Sequence, residues 1–174
     1  SLPLATHGLE WVHSPALLAH PFDDGTAAVL ERSTRDTGQS LDRVDATAWA
    51  RLMDPFVARW EALLSDVLSL PSRAPRHPLL FARFGLLALR SALGLARHAF
   101  RGERARALFA GIAGHSLLPL DTPPSAAIGL VLAIAGHAVG WPIARGGSQR
   151  IADALVSILR ERAAELRLSS PVHS

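Results

Sequence analysis

The sequence predicts an α+β fold that is mostly helical and carries a small antiparallel sheet. Strand-like apolar runs with turn signals between them fill residues 8–33, and one more strand-like run closes the chain. From about Ser33 to Ala164 the apolar period becomes helical, broken only by Pro- and Gly-containing segments. Apolar residues make up 49% of 174, enough for one domain with a real core, since a chain near this size buries roughly 70% of its unfolded surface. Aromatics reach only 6% and tyrosine is absent, so Leu, Ala, Val and Ile must fill that core.

Taken in order, Leu9–His13 and Thr26–Arg32 read as strands flanking His20-Pro-Phe-Asp-Asp-Gly25, whose Asp-Asp-Gly is a turn signal. A short hairpin is expected there, with room for a third strand around Leu17–His20. Asp45 to Met53 reads as a helix, restarted by Asp54 as a cap and Pro55 in a first turn. Phe56, Trp60, Leu63, Leu64, Val67 and Leu68 then share one face. Pro71-Ser-Arg-Ala-Pro75 is a break. His77 to Phe100 reads as one long apolar helix, softened by Gly85 and Gly94, and Arg101-Gly102 separates it from a helix over Arg104 to about Ala113. Asp121-Thr-Pro-Pro124 signals another helix running to about Val139. A last helix is expected from Ser148 to about Ala164, followed by a closing strand over Glu165 to Val172.

Charge excludes less than it suggests. The pI of 11.1 arises because all 18 basic residues are arginine, with no lysine, tyrosine or cysteine to titrate between His and Arg. The net charge is only +3, and no basic patch interleaved with aromatics appears, so no nucleic-acid partner is expected. Without cysteine, disulfides, thiolate metal sites and cysteine nucleophiles are excluded. A cytoplasmic location fits this. The chain opens on Ser-Leu-Pro-Leu with its only methionine at Met53, and reads as a piece of a larger protein.

Several segments could carry chemistry. Arg76, Arg83, Arg90, Arg97 and Arg104 recur every seven residues, which on one helix gives a slowly drifting stripe. With the apolar residues between them, residues 77–100 suit either peripheral membrane contact or an ordinary core-packed helix with its arginines in water. Ala126 to Val139 is apolar nearly all round, too short to span a bilayer and suited to a buried central helix. None of the eight histidines is paired at helical spacing, so no metal site is expected. His115 and His137, each after a glycine, are either satisfied core histidines or residues lining a ligand cavity. No nucleophile elbow, phosphate loop or dinucleotide fingerprint occurs, and no catalytic residue can be assigned. The richest stretch is Gly140-Trp-Pro-Ile-Ala-Arg-Gly-Gly-Ser-Gln149. Paired glycines before a helix leave bare backbone amides that can approach a ligand, although a plain tight turn has the same signature. Capping is the natural role of Ser148.

Together, Gly8-Leu-Glu-Trp-Val12, His20-Pro-Phe-Asp-Asp-Gly25, Arg83-Phe-Gly85, Leu108-Phe-Ala-Gly111, His115-Ser116 and Pro119-Leu-Asp121 lead to His137-Ala-Val-Gly-Trp-Pro142 and Gly146-Gly-Ser-Gln149. In order and spacing this set resembles the phytoene-dehydrogenase-related group of FAD-dependent oxidoreductases. The resemblance implies that residues 1–139 are substrate domain (strands about 8–33, helical block about 34–139). Residues 140–174 would return toward an FAD-binding domain not contained in this chain. It further implies FAD in the larger parent, with Gly146, Gly147, Ser148, Gln149 and Val172 on the cofactor side and Trp141, His115 and His137 on the substrate side. The family's fingerprint glycines have no counterparts here. The implied chemistry is desaturase- or dehydrogenase-like hydride transfer between flavin and an apolar, isoprenoid- or carotenoid-like small molecule, with this chain inactive alone. The alternative from another class is a free-standing helical module that binds lipid or a protein partner without redox chemistry.

Overall fold

The computed structural model describes residues 2–70, 72–167 and 169–171. The fold is α+β and mostly helical, with two small antiparallel sheets. Its residues fall into two compact units, Pro15–Trp141 and a smaller one formed by Ser1–Ser14 with Pro142–Ser174. The C-terminal boundary lies within a few residues of the one expected at 139/140. The first fourteen residues, however, pair with the C-terminal segment instead of the helical block.

The large unit opens on a hairpin of β2 (Ala16–Pro21) and β3 (Ala27–Glu31), with Ala19 opposite Val29. Its turn is closed by Asp24, whose Oδ1 accepts from the Thr26 amide at 2.9 Å, and by Gly25 at φ +79°. The hairpin expected from Leu9–His13 is therefore built by the next segment. Trp11–Val12 forms β1, which instead pairs antiparallel with β4 (Ile143–Ala144) in the small unit. Leu17 and Leu18 on β2 pack with the buried Ala28 and Leu30 of β3 in the main core, whereas Trp11 on β1 is exposed.

Helix α1 (Thr34–Gln39) is capped by Ser33, whose hydroxyl accepts from the Asp36 amide. Helix α2 (Arg43–Val57) runs straight through Asp54-Pro55. Asp54 does not cap a new helix; its carboxylate accepts from the Thr34 hydroxyl at 2.7 Å. Pro55 lies inside α2 and removes the amide bond that would reach the Arg51 carbonyl; the helix continues only two residues further, and the break falls at Ala58-Arg59 before α3 (Trp60–Val67).

The long helix expected over 77–100 is two helices, α4 (Pro78–Ala88) and α5 (Ala92–Ala99), bent by 102°. Ser91 caps α5 by accepting from the Gly94 amide, so a local hydrogen bond overrides the continuous apolar pattern. The arginine stripe is dismantled with it. Arg83 lies on α4, Arg90 in the corner, Arg97 on α5 and Arg104 on α6 (Glu103–Ala113). Among the described residues no single helix is long and apolar enough to cross a membrane.

Helix α7 (Ser125–Ala138) is the centre of the large unit, packed by α2, α4, α5 and α6. Gly129 makes the α6 crossing possible, because a Cβ there would lie 2.9 Å from Ala113 Cβ and 3.1 Å from Phe109 Cζ. Around α7 the core is anchored by Trp49, Phe56, Phe100 and Phe109, all essentially inaccessible, with Trp49 and Phe100 stacked at 5.5 Å.

In the small unit, a 3₁₀ turn (Leu4–His7) packs on α8 (Gln149–Glu161), and Leu9, Ala144 and Ala154 form a separate minor core. Helix α8 stops at Ala163, which takes a left-handed φ of 53°, while the Ala164 amide reaches back to the Leu159 carbonyl. The closing strand expected over Glu165–Val172 does not form among the described residues of that segment. β4 is the strand that pairs with β1, and Arg167 forms a two-bonded ion pair with exposed Glu165. Val172 lies outside the described residues.

Candidate functional site

The two glycines of the GGSQ stretch form the turn between β4 and α8, and both need the left-handed region. Gly146 has φ +83° and Gly147 φ +96°. The Gly147 amide closes the turn onto the Ala144 carbonyl at 3.0 Å. A side chain at Gly147 would meet no atom within 4 Å, so the backbone there faces open space. Ser148 is already helical (φ −64°, ψ −23°) and its hydroxyl caps no amide, contrary to the expected role. An N-cap needs extended backbone to aim its oxygen at the following amides, and the glycine turn delivers the chain to Ser148 with helical dihedrals. Gln149 is turned along the helix, donating to Asp153 Oδ1 at 3.1 Å.

Beside this turn lies an open groove of about 580 Å³, walled by Trp11, Val12, Pro142, Ile143 and Ile151 with Gly146-Gly147-Ser148 along one edge. Trp11 is 46% exposed and Ile143 69%, so a mostly apolar wall is left uncovered. Two segments from opposite ends of the sequence build it, Trp11-Val12 and Pro142–Ser148, with Ile151 from α8. The β1–β4 pairing joins them, continued by the Arg145 amide donating to the Glu10 carbonyl at 2.9 Å and by an exposed Arg145–Glu10 ion pair at 2.7 Å.

No family model matches the chain, and no curated protein matches it.

The residues expected on the substrate side belong to the large unit and do not form one cavity. His137 is buried on α7, accepting at Nε2 from the Trp49 indole N–H at 2.9 Å. That fixes the proton on Nδ1, which faces the Arg32 carbonyl at 3.3 Å. Burial pushes its pKa below the ordinary value, although the carbonyls of Arg32 and Glu31 and the charge of Asp54 pull the other way. This is a satisfied core histidine. His115 is exposed in a 3₁₀ turn after α6 (Gly114–Ser116), its Nδ1 on the Ile112 carbonyl at 3.1 Å. Trp141 is half-buried against the main core, its indole nitrogen beside Gly136.

The other histidines are also scattered. His7 is bonded to Ser157 Oγ at 2.9 Å, His20 packs on Gly111, and His77 pairs with Asp66. Among the described residues no three His, Asp or Glu side chains gather as a metal site. A hollow lined by Arg43, Arg51, His98 and Arg101 was not foreseen from sequence. The spacing of Arg43 and Arg51, eight residues apart on α2, is the signal that could have found part of it, while His98 and Arg101 come from a segment far along the sequence.

Proposed function

We propose that this chain is the substrate-binding portion of an FAD-dependent oxidoreductase, supplying one wall of a site completed by a flavin-binding domain of the parent and inactive by itself. The observation that supports it is the uncovered groove at Gly146-Gly147. It brings together parts of two motifs that carry the family resemblance, Trp11-Val12 and Pro142 with Gly146-Gly147-Ser148, from opposite ends of the chain.

The residues fit such a role. Left-handed Gly147, with open space above it, lets backbone approach a planar ring, and the first turn of α8 carries no side-chain cap. Trp11, Ile143 and Ile151 would exclude water beside the ring. When bound, FAD supplies hydride exchange with a carbon–carbon unit of an apolar substrate. The chain's part is orientation and a dry surface, with no proton-transfer residue in the groove.

Expression of the open reading frame that contains this chain tests the reading. The parent should purify with flavin absorbance, and Gly147→Leu should reduce flavin occupancy while leaving the helical spectrum intact. A parent without flavin overturns it.

A second reading, peripheral contact with a membrane, is favoured by the outward face of α4. Leu79 (86% exposed), Leu86 and Leu89 stand in water with Arg83 among them and no acidic residue on that helix. Cosedimentation with phosphatidylglycerol vesicles, lost in Leu79→Asn/Leu89→Asn, tests it. Failure of the wild-type chain to sediment removes it.

A further inference from the structure

Two neighbouring hollows on the large unit measure about 520 and 440 Å³, within the usual range for small-molecule sites of about 300–1,000 Å³. Ala48, Arg51, His98 and Ala99 line both, so the hollows adjoin. One end is cationic. Arg43 and Arg51 project from α2, His98 from α5, and Arg101 from the corner before α6. The second hollow is the more apolar of the two: beside the shared Arg51 and His98 it has Leu52 from α2 and Leu86 and Leu87 from α4, and Arg83 also lines it, its guanidinium 5.5 Å over the Phe56 ring.

The charges at this groove are not balanced within the protein. Arg43, Arg51, Arg83 and Arg101 make no ion pair among the described residues; the arginines that do are Arg104, Arg145, Arg150 and Arg167. The groove's one carboxylate, Asp45, is buried and spends both oxygens on backbone amides, Arg101 N–H at 2.8 Å and Gly102 N–H at 2.6 Å. Leu86 meanwhile is 75% exposed along the apolar end. Guanidiniums without partners at one end and uncovered leucine at the other complement a molecule with the same asymmetry.

We propose that this groove binds a single-chain anionic amphiphile. Its phosphate or carboxylate head is held by Arg43, Arg51 and Arg101, and its alkyl chain lies along Leu52, Leu86 and Leu87. The site uses different residues from the glycine groove and stands whether or not the parent carries flavin.

Calorimetric titration of the chain with dodecyl phosphate, below its micelle-forming concentration, tests this. Inorganic phosphate and decanol serve as head-only and tail-only probes. Dodecyl phosphate is expected to bind at least about tenfold more tightly than either half. Arg51→Gln/Arg101→Gln should weaken it about tenfold or more with an unchanged circular dichroism spectrum. Leu86→Asn, at an exposed position that the fold does not need, should weaken dodecyl phosphate but not inorganic phosphate. Equal affinity for phosphate and dodecyl phosphate would reduce the site to a bare anion patch and overturn the proposal. Indifference to the arginine substitutions overturns it too, as does binding to phosphatidylglycerol vesicles without binding of the monomeric amphiphile.

Discussion

The indole N–H of Trp49 donates to Nε2 of His137, joining α2 to α7 at the centre of the large unit. With Nδ1 directed at the Arg32 carbonyl, and Arg32 Nη1 donating to the Val139 carbonyl at 2.7 Å, the end of β3 is tied to the end of the central helix. Every polar atom of this cluster has a partner only while the imidazole is neutral, because a proton on Nε2 would face the indole N–H.

His137 should therefore make the fold less stable in mild acid. Its folded pKa lies below the ordinary value of 6.5, burial being the main cause. Above that value both states are neutral and nothing changes. As pH falls below it, the unfolded chain takes up the proton first, so stability is lost down to the folded pKa. Urea midpoints measured across this window should fall with pH in the wild type. His137→Leu should flatten that dependence and lower stability by about 1–3 kcal/mol at neutral pH, the cost of an unpaired buried indole N–H. An unchanged slope in the variant would assign the acid sensitivity elsewhere.

Two glycines within helices should respond in opposite directions to the same change. A methyl group added at Gly85, mid-way along α4, would meet no atom within 4 Å, so Gly85→Ala should stabilise by about 0.5–1 kcal/mol through helix propensity. Gly129→Ala would gain the same propensity but press its methyl against Ala113 and Phe109 at the α6 crossing. Overpacking of this kind costs about 1–3 kcal/mol, so the net effect should be a loss. Thermal unfolding of the pair checks the contrast, and equal shifts would mean the crossing relaxes freely.

Asp45 is the cap that α6 does not carry in its own sequence. Gly102 stands at the N-cap without a side chain, and the Asp45 carboxylate, 56 and 57 residues earlier, accepts the Arg101 and Gly102 amides instead. Asp45→Ala should cost about 1–3 kcal/mol, since two covered amides lose their acceptor. Hydrogen exchange should locate the loss at the start of α6. Protection there that survives the substitution would show that water can replace the carboxylate.

These cases show what local sequence does and does not specify. Signals that act within a few residues are legible, such as Asp24 with Gly25 and the Pro-containing break after α3, and so is the apolar run that forms the central helix α7. The 102° bend at Ser91 was not, because a single hydroxyl bond to the Gly94 amide competes with a pattern that is apolar on both sides of it. Nor was the partner of Trp11–Val12, since a two-residue strand carries almost no period and its mate lies at the far end of the chain. At the candidate site, the left-handed Gly146 and Gly147 were readable from glycine itself. The separation of His115 from His137 was not, because glycine before a histidine says nothing about which way the ring faces.

Asp66 should govern the segment that leads into α4. Its carboxylate, only 2% exposed, accepts from the amides of Arg76 and His77 at 2.8 Å each and lies 3.2 Å from the His77 ring. Burial alone would raise its pKa; the two amide bonds and the His77 ring outweigh that and hold it below 3.8. The carboxylate is covered by the loop it organises and is not sunk in the main core, so its loss should be local. The sign is the ordinary one for a depressed carboxylate: its contribution is complete above 3.8 and is lost as pH falls through the lower folded value. In Asp66→Asn one acceptor oxygen replaces two, and the Arg76 and His77 amides should exchange at rates approaching those of an open loop. The acid limb of the unfolding curve should also become shallower. If both amides stay protected in the variant, the segment is held by the packing of Leu80 and Phe84 on α4, and the Asp66 contacts follow from that packing without causing it.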